Sequence, residues 1–182
     1  MRLLILTYGT EGDTRPLAAL GHALAQAGHG VHLLADVSTL GTVRALDVPC
    51  SALAGDIRGT LASEGAMKRI TANLARLAIA HTGDWMRQAL EAGRGCDAVI
   101  VSGLTAFVGL SVAEALRVPA VGTMLIPVSP TAAFASPFLP FTPPQVFNRA
   151  SHALFGQASW HLFRRATNHA RAEAGLPPRR AL

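Results

Sequence analysis

Residues 1–21 of the chain, MRLLILTYGTEGDTRPLAALG, contain the pattern that decides the fold. The nearly uninterrupted apolar run from Arg2 to Thr7 is typical of a central parallel strand that is covered on both faces. A turn containing Gly9 and Gly12 follows, and the leucines beyond it recur with helical spacing. Because the fixed φ of Pro16 suits the first helical position, the helix is predicted to begin there.

The same alternation of strand and helix continues along the chain. Further strands are predicted at 31–35, 48–53, 98–101 and 119–126, and further helices at 38–46, around 67–85, at 105–116 and at 146–174. Strands that alternate with helices predict an α/β fold with a doubly wound parallel sheet and right-handed crossovers. Such sheets bind ligands beyond the carboxyl ends of their strands, at the switch point.

Length and composition limit the class of protein. The chain has 182 residues, of which 50% are hydrophobic and 15% charged, so it can bury a core and disorder is excluded. The length fits one domain over residues 1–182 and not two full-sized ones. Cys50 and Cys96 lie far apart without CxxC spacing, which excludes a disulfide framework or a zinc ribbon and favours a cytoplasmic location.

The charge distribution is uneven. The net charge is +5, and the whole basic excess lies after residue 100. The arginines there are scattered singly, which favours a solvated surface over a nucleic-acid site, so no nucleic-acid partner is predicted. Peripheral contact with an anionic membrane stays open as an alternative.

Residues 118–148 contain no charged side chain and seven of the eleven prolines. Such a run raises the question of a membrane span, but each proline removes a backbone donor that lipid cannot replace. We therefore predict a strand followed by a long, apolar loop that the prolines stiffen.

The glycine turn limits the chemistry near the first strand. A Walker A pattern and a strict GxGxxG pattern are both absent. The turn still allows a diphosphate to approach the backbone at the start of a helix, and we expect this role for Gly9, Thr10 and Gly12. Asp36, at the end of the second predicted strand, stands where a dinucleotide site would hold its ribose, so an NAD(P)-binding oxidoreductase is kept as an alternative.

Asp13 is the candidate catalytic residue of this turn. It precedes the predicted helix start, so its carboxylate either points into the cleft or caps the helix, and both interpretations stay open. The seven histidines show no spacing that would gather a ligand set on one face, so no metal site is predicted.

Several segments together resemble a known family: residues 9–21, 27–31, 112–119, 127–138 and 168–178. They are similar to segments of sterol glucosyltransferases and of bacterial enzymes that glycosylate antibiotics and lipids. The N-terminal half of these enzymes is known as the glycosyltransferase family 28 N-terminal domain. The resemblance implies an inverting GT-B enzyme, with a Rossmann-like N-terminal half that holds the acceptor and a C-terminal half, absent from these residues, that holds the nucleotide sugar.

The resemblance also implies roles for particular residues. Asp13 would be the general base in transfer of a hexose, with a UDP-sugar as the expected donor and a sterol, lipid or polyketide-like hydroxyl compound as acceptor, without metal or cofactor. An apolar wall for that acceptor would consist of Pro127, Pro130, Thr131, Phe134, Pro137 and Phe138. The alternative within this resemblance is a non-catalytic acceptor-binding module, or one subunit of a split transferase.

Overall fold

The computed structural model describes residues 1–62 and 66–181, except for the side chains of residues 66–70. Within this part of the chain, five strands form one parallel sheet in the order β3-β2-β1-β4-β5. The strands are β1 (Arg2–Leu6), β2 (Gly30–Asp36), β3 (Cys50–Leu53), β4 (Ala98–Val101) and β5 (Ala120–Gly122). This order confirms the predicted α/β fold with a doubly wound sheet.

Helices cover both faces of the sheet. They are α1 (Glu11–Gln26), α2 (Leu40–Arg44), α3 (Ile57–Ala62), α4 (Ala66–Ala92), α5 (Ala106–Leu116) and α6 (Asn148–Glu173). Alternate side chains of β1 point to opposite faces. Ile5 packs with Leu17 of α1 on one face, whereas Leu6 packs with Trp85 of α4 and Val112 of α5 on the other.

Helix α1 begins earlier than the sequence predicted. The prediction of a start at Pro16 is wrong, because Thr10 is the N-cap and Glu11 the first helical residue. Thr10 and Asp13 form a capping box, which fixes the start of the helix five residues before the proline. Pro16 is tolerated because the amide it lacks would have served a single bond, to the carbonyl of Gly12 in the first turn.

The apolar run at 118–148 forms a strand and a long loop, as predicted, but the strand is shorter than expected. Only residues Ala120–Gly122 pair in the sheet, and the chain then runs as a loop to a 3-10 turn at Gln145–Phe147 that leads into α6. The predicted extension to residue 126 fails because residues 124–126 are exposed and lie against no further strand of the described chain.

The topology places a crevice beside the first glycine turn. The chain adds β2 and β3 on one side of β1 and then crosses to add β4 and β5 on the other, so the switch point lies between β1 and β4. The carbonyl of Leu6 accepts hydrogen bonds from the Ser102 amide and the Thr105 hydroxyl, both at 3.0 Å. These bonds hold the turns after β1 and β4 together at the carboxyl edge of the sheet.

Candidate functional site

The carboxylate of Asp13 is fastened by one of its two oxygens. Its Oδ2 accepts a hydrogen bond from the Thr10 amide at 2.8 Å and another from the Thr10 hydroxyl at 3.2 Å. The side chain is half-buried, and Oδ1 forms no hydrogen bond to any residue that the structure describes. Asp13 therefore caps α1 with one oxygen and leaves the other for a ligand, so the two interpretations left open by the sequence are compatible.

Gly9 is required by the position of that carboxylate. A Cβ atom added at Gly9 would lie 2.2 Å from Oδ2 of Asp13 and 2.4 Å from its Cγ. Such distances are far inside van der Waals contact, so any side chain at this position would displace the carboxylate. The sequence suggested Gly9 as a phosphate neighbour, and the structure adds this steric reason for a glycine.

The first turn of α1 offers two unpaired amides. The amides of Asp13 and Thr14 both bond to the carbonyl of Thr10, whereas those of Glu11 and Gly12 form no bond within residues 1–62 and 66–181. Gly12 is exposed, so its amide can reach an anion at the positive end of the helix. Of the residues predicted to lie near a phosphate, Thr10 already donates its amide and hydroxyl to Asp13.

The predicted acceptor wall lies on the loop that follows β5. Phe134 and Phe138 are 46% and 41% exposed. Pro127, Pro130 and Pro137 are also exposed, and the half-buried Thr131 accepts the Ala133 amide through its hydroxyl. The loop therefore presents a largely apolar surface to solvent.

Helix α6 holds this loop in place. Asn148 donates to the carbonyl of Ala132 at 2.9 Å, and the Ser151 hydroxyl accepts the Ser136 amide at 2.8 Å. The ring of Phe138 stacks on Phe155 with 4.1 Å between centroids. The loop is thus an ordered part of the surface. Two strand spacings, about 10 Å, separate the end of β5 from the end of β1, so the loop and Asp13 share one edge of the sheet.

Asp36 is a structural residue. It is fully buried, its Oδ1 accepts from the amide and hydroxyl of Ser38, and its Oδ2 accepts from the Ile57 amide. Burial raises the pKa of the neighbouring Tyr8 phenol, and the carboxylates of Asp36 and Asp56 raise it further. Because both oxygens of Asp36 serve the protein backbone, this residue is not placed to bind a ribose, and the oxidoreductase alternative is not favoured.

Two buried clusters were not predicted. The ring centroid of Tyr8, the residue before Gly9, lies 4.4 Å from that of Trp85, whose indole donates to the Ala54 carbonyl. The second cluster surrounds Arg171. It contains residues of the segment 168–178, one of the segments that resemble the family. The spacing of Asn168 and Arg171 on one helical face was the available signal for it.

Arg171 fastens the C-terminal segment of the described chain. Its guanidinium, 2% exposed, forms two bonds of 2.9 Å to Glu114 and one of 3.2 Å to the Ser111 hydroxyl. It also donates twice to the Pro177 carbonyl, at 3.0 and 2.8 Å. Asn168 exchanges two hydrogen bonds with the backbone of Arg179. We name this set the Arg171 clamp.

The described part of the chain contains neither a candidate metal site nor a candidate membrane-spanning helix. No group of three or more His, Cys, Asp or Glu residues there could hold a metal ion. No helix within residues 1–62 and 66–181 is both long and apolar enough to cross a membrane. His152, one of the seven histidines, instead contacts the Phe134 carbonyl through Nε2 at 3.2 Å.

Comparison with known proteins identifies relatives among glycosyltransferases. No family model matches the chain. It is 29% identical to a sterol 3-beta-glucosyltransferase of Eremothecium gossypii, over 93% of this chain and 14% of that protein. It is 31% identical to the glycosyltransferase GtfE of Amycolatopsis orientalis, over 98% and 45%, and 29% identical to the dTDP-epi-vancosaminyltransferase of the same organism, over 98% and 41%.

Solved structures of glycosyltransferases share the fold. SsfS6 of Streptomyces sp. SF2575 superposes with a TM-score of 0.62 and 19% identity, over 98% of this chain and 47% of that one. The spinosyn forosaminyltransferase SpnP superposes with a TM-score of 0.63 and 16% identity, over 99% and 43%. The chain therefore has the fold of about half of a GT-B glycosyltransferase.

These findings confirm the resemblance drawn from the sequence. The chain is homologous to a part of sterol 3-beta-glucosyltransferases and of bacterial glycosyltransferases, and it spans less than half the length of the curated relatives named above. That the relatives are transferases favours a transferase over a non-catalytic module. The single domain over residues 1–182 and the roles of the site residues stay predictions.

Proposed function

We propose that the chain is the acceptor-binding half of an inverting glycosyltransferase that moves a hexose from a nucleotide sugar to a hydroxyl group of a lipophilic acceptor. The observation that carries this proposal is the Asp13 carboxylate, which lies at the switch point with Oδ2 anchored and Oδ1 unpaired among the described residues. A carboxylate held in this way is suited to remove a proton from a bound hydroxyl group.

The proposed reaction is a direct displacement at the anomeric carbon of the sugar. Oδ1 of Asp13 takes the proton of the acceptor hydroxyl while that oxygen forms a bond to the anomeric carbon of the sugar. The bond from the anomeric carbon to the diphosphate oxygen breaks on the opposite face, so the configuration inverts and the nucleoside diphosphate leaves as an anion. The unpaired amides of Glu11 and Gly12 and the positive end of α1 are suited to stabilise that developing charge.

The exposed loop after β5 favours the proposal that the acceptor is apolar. Phe134 and Phe138 offer aromatic surface, and prolines limit the freedom that the loop would lose on binding. The contacts to α6 hold this surface before any ligand arrives, which lowers the entropy cost of forming the complex. Pro127, Pro130, Thr131 and Pro137 belong to the same proposed surface.

The test uses a chimera in which residues 1–182 are joined to the part of GtfE that the chain does not match. Structures of SsfS6 and VinC contain thymidine diphosphate, so TDP-glucose is supplied alongside UDP-glucose. We expect glycosylated product with a sterol or polyketide acceptor and none with a hydrophilic acceptor such as glucose. Transfer to glucose alone, or no transfer by a folded chimera that binds TDP, would contradict the proposal. Mixing the two parts as separate chains tests the split-transferase alternative.

We also propose peripheral contact with anionic membranes through the first half of α6 and the turn before it. Val146 and Phe147 are 81% and 55% exposed, and Arg149, two residues after Phe147, is also exposed. Apolar side chains beside a basic residue are suited to insert at a lipid surface and attract its charge. The proposal requires no membrane-spanning helix.

Co-sedimentation with phosphatidylserine vesicles measures this contact. We expect binding that persists in 1 M NaCl, since inserted apolar side chains are not screened by salt, and a loss of about fivefold or more for Val146→Ser with Phe147→Ser. The control is Val37→Ser, another exposed apolar residue, which should bind like the parent. Equal binding by all three proteins, or binding abolished by salt, would refute insertion.

A further inference from the structure

Ser102, the residue after β4, carries an unpaired hydroxyl group. The residue is 3% exposed and stands at the N-cap of the 3-10 turn Gly103–Thr105, but its side chain forms no capping hydrogen bond. It forms no other hydrogen bond to a residue that the structure describes, and it is not among the unpaired hydroxyl groups there that are sealed from solvent. A buried residue with one accessible, unpaired polar atom presents that atom to solvent or to a ligand.

Ser102 lies on the same face of the sheet as α1. The side chains of β4 alternate between the two faces: Ile100 packs in the cluster that contains Leu17 of α1, whereas Val101 packs in the cluster beneath α4 and α5. Ser102 continues this alternation because its backbone is extended, with φ −141° and ψ 150°. Its hydroxyl group is therefore on the face that α1 covers, at the edge where the first turn of α1 holds Asp13.

The adjacent amide of Gly103 has only a weak acceptor. It donates to Sδ of Met124 at 3.4 Å. A thioether sulfur accepts hydrogen bonds weakly, and a methionine side chain changes its conformation easily, so a ligand oxygen can replace it. Met124 is 40% exposed, so it can move aside without opening the core. Ser102 and Gly103 thus offer two neighbouring hydrogen-bonding groups, which we name the Ser102 pair.

The Ser102 pair adjoins the Asp13 carboxylate. A Cβ atom added at Gly103 would lie 3.9 Å from the carbonyl oxygen of Tyr8, and one added at Gly9, the next residue, would overlap the Asp13 side chain. The pair and Asp13 therefore flank the same two-residue segment at the switch point. A ligand that places a hydroxyl group at Oδ1 of Asp13 can direct a second oxygen atom to the pair.

The surroundings of the pair favour an uncharged oxygen atom. No charged residue occurs at positions 98–113 or 118–148, which include Ser102, Gly103 and Met124. Arginine and lysine are the usual partners of a phosphate group, so the pair is better suited to a hydroxyl or carbonyl group. Met124 also lies three residues before Pro127, where the proposed acceptor wall begins. Both observations favour the acceptor over the nucleotide sugar as the ligand of the pair.

We infer that the Ser102 hydroxyl and the Gly103 amide bind a second oxygen atom of the acceptor, close to the hydroxyl group that reacts at Asp13, and that the Met124 sulfur occupies this place in the free chain. The acceptor then carries a hydroxyl or carbonyl oxygen on the carbon adjacent to the reacting one or on the next carbon. Diols and hydroxy ketones of polyketide type meet this requirement, whereas a sterol with a single hydroxyl group does not. The inference rests on the proposed function for the role of Asp13.

Binding of small aromatic alcohols to the 182-residue chain tests the pair without sugar transfer. Phenol has one hydroxyl group, catechol and resorcinol have a second one close to the first, and hydroquinone has it on the opposite side of the ring. Catechol or resorcinol should bind about three- to tenfold more tightly than phenol and hydroquinone, the usual contribution of a hydrogen bond. Its binding should shift the NMR resonances of the Gly103 amide and the Met124 methyl group. Equal affinities, or no binding of any of the four, overturn the inference.

Two substitutions examine the pair and the sulfur separately. Ser102→Ala breaks no hydrogen bond of its side chain to the described residues, so it should keep Tm near that of the parent and abolish the preference for the close diols. Met124→Leu keeps an apolar side chain but removes the sulfur, so the Gly103 amide should exchange faster with solvent, and the close diols should bind at least as tightly as to the parent. A preference retained in Ser102→Ala, or weaker binding in Met124→Leu, contradicts the inference.

The chimera with the unmatched part of GtfE distinguishes this inference from the proposed function. Preferential binding of the close diols without sugar transfer to any acceptor keeps the pair and rejects the proposed function. Transfer without such a preference does the reverse. Thymidine diphosphate is added in a separate titration of the chimera. If it shifts the Gly103 amide resonance and competes with the diols, the pair binds the nucleotide sugar and the inference is overturned.

Discussion

Replacing Asp13 with asparagine in the chimera with GtfE is expected to lower kcat about 10²–10⁴-fold, the usual contribution of a positioned general base. An asparagine oxygen can still accept the hydrogen bonds that the Thr10 amide and hydroxyl donate to Oδ2, so α1 should begin where it does in the parent. The variant lacks the negative charge and with it the ability to take the acceptor proton. Because the side chain keeps its size, KM for the acceptor should change little.

Asp13→Ala is the matched control that separates catalysis from capping. Alanine removes both functions, so this variant should lose transfer and about 1 kcal/mol of stability, whereas Asp13→Asn should lose transfer and keep stability near that of the parent. Initial rates at saturating donor, together with urea denaturation of each protein, distinguish the two effects. Turnover of Asp13→Asn within tenfold of the parent would remove Asp13 from the proposed mechanism.

Gly9→Ala reaches the same carboxylate indirectly. Its Cβ would occupy space within 2.2 Å of Oδ2, so the Asp13 side chain must leave the Thr10 bonds or the turn must shift. Transfer should fall although every group of the proposed chemistry is present. The comparison with Asp13→Asn shows whether the position of the carboxylate matters as well as its charge.

The second large effect is expected at the Arg171 clamp. Arg171→Met should lower the free energy of unfolding by about 2–4 kcal/mol, because it leaves the Ser111 hydroxyl and the Pro177 carbonyl without their buried donor and separates Glu114 from its partner. Urea denaturation followed by far-UV circular dichroism measures the loss. Arg171→Lys keeps the charge but not the planar donor geometry, so it should recover only part of the stability. A loss below about 0.5 kcal/mol in Arg171→Met would contradict the structural role of the clamp.

The dependence of stability on acid pH tests the contact between Arg171 and Glu114. Hydrogen bonds from Arg171 hold the pKa of Glu114 below its usual range. A carboxylate with a depressed pKa in the folded state contributes stability that is present above its unfolded pKa and is lost as the pH falls through the folded one. The parent should therefore lose more stability than Arg171→Met when the pH falls below about 4. Parallel curves for the two proteins would show that the ion pair contributes nothing.

Local patterns predicted most of the fold, and the errors lie at the ends of helices and strands. The apolar run at 98–101 predicted β4 with its correct ends, because a buried central strand needs no distant information. The start of α1 was wrong because Pro16 is a strong local signal, while the capping box of Thr10 and Asp13 is a weaker one. A single pair of side chains decided between two plausible helix starts.

The candidate site, too, could be predicted only in part from the sequence. Asp13 was identified from its place in the turn and its resemblance to a family, but the anchoring of one oxygen required the folded backbone. The structural role of Asp36 could not be predicted, because one of its partners, the Ile57 amide, lies 21 residues away in the sequence. Arg171 and Glu114 are separated by 57 residues, so no local pattern could pair them. Hydrogen bonds between buried groups that are far apart in the sequence can be identified only in the folded structure.

The attachment of the loop after β5 has a consequence for protein engineering. The hydrogen bonds and ring contacts that hold residues 132–138 lead to Asn148, Ser151, His152 and Phe155 of α6, not to the strands. The loop and the first two turns of α6 therefore form one exchangeable block. Grafting residues 124–155 together from a relative would carry a new surface with its own supports, whereas grafting the loop alone would separate it from them.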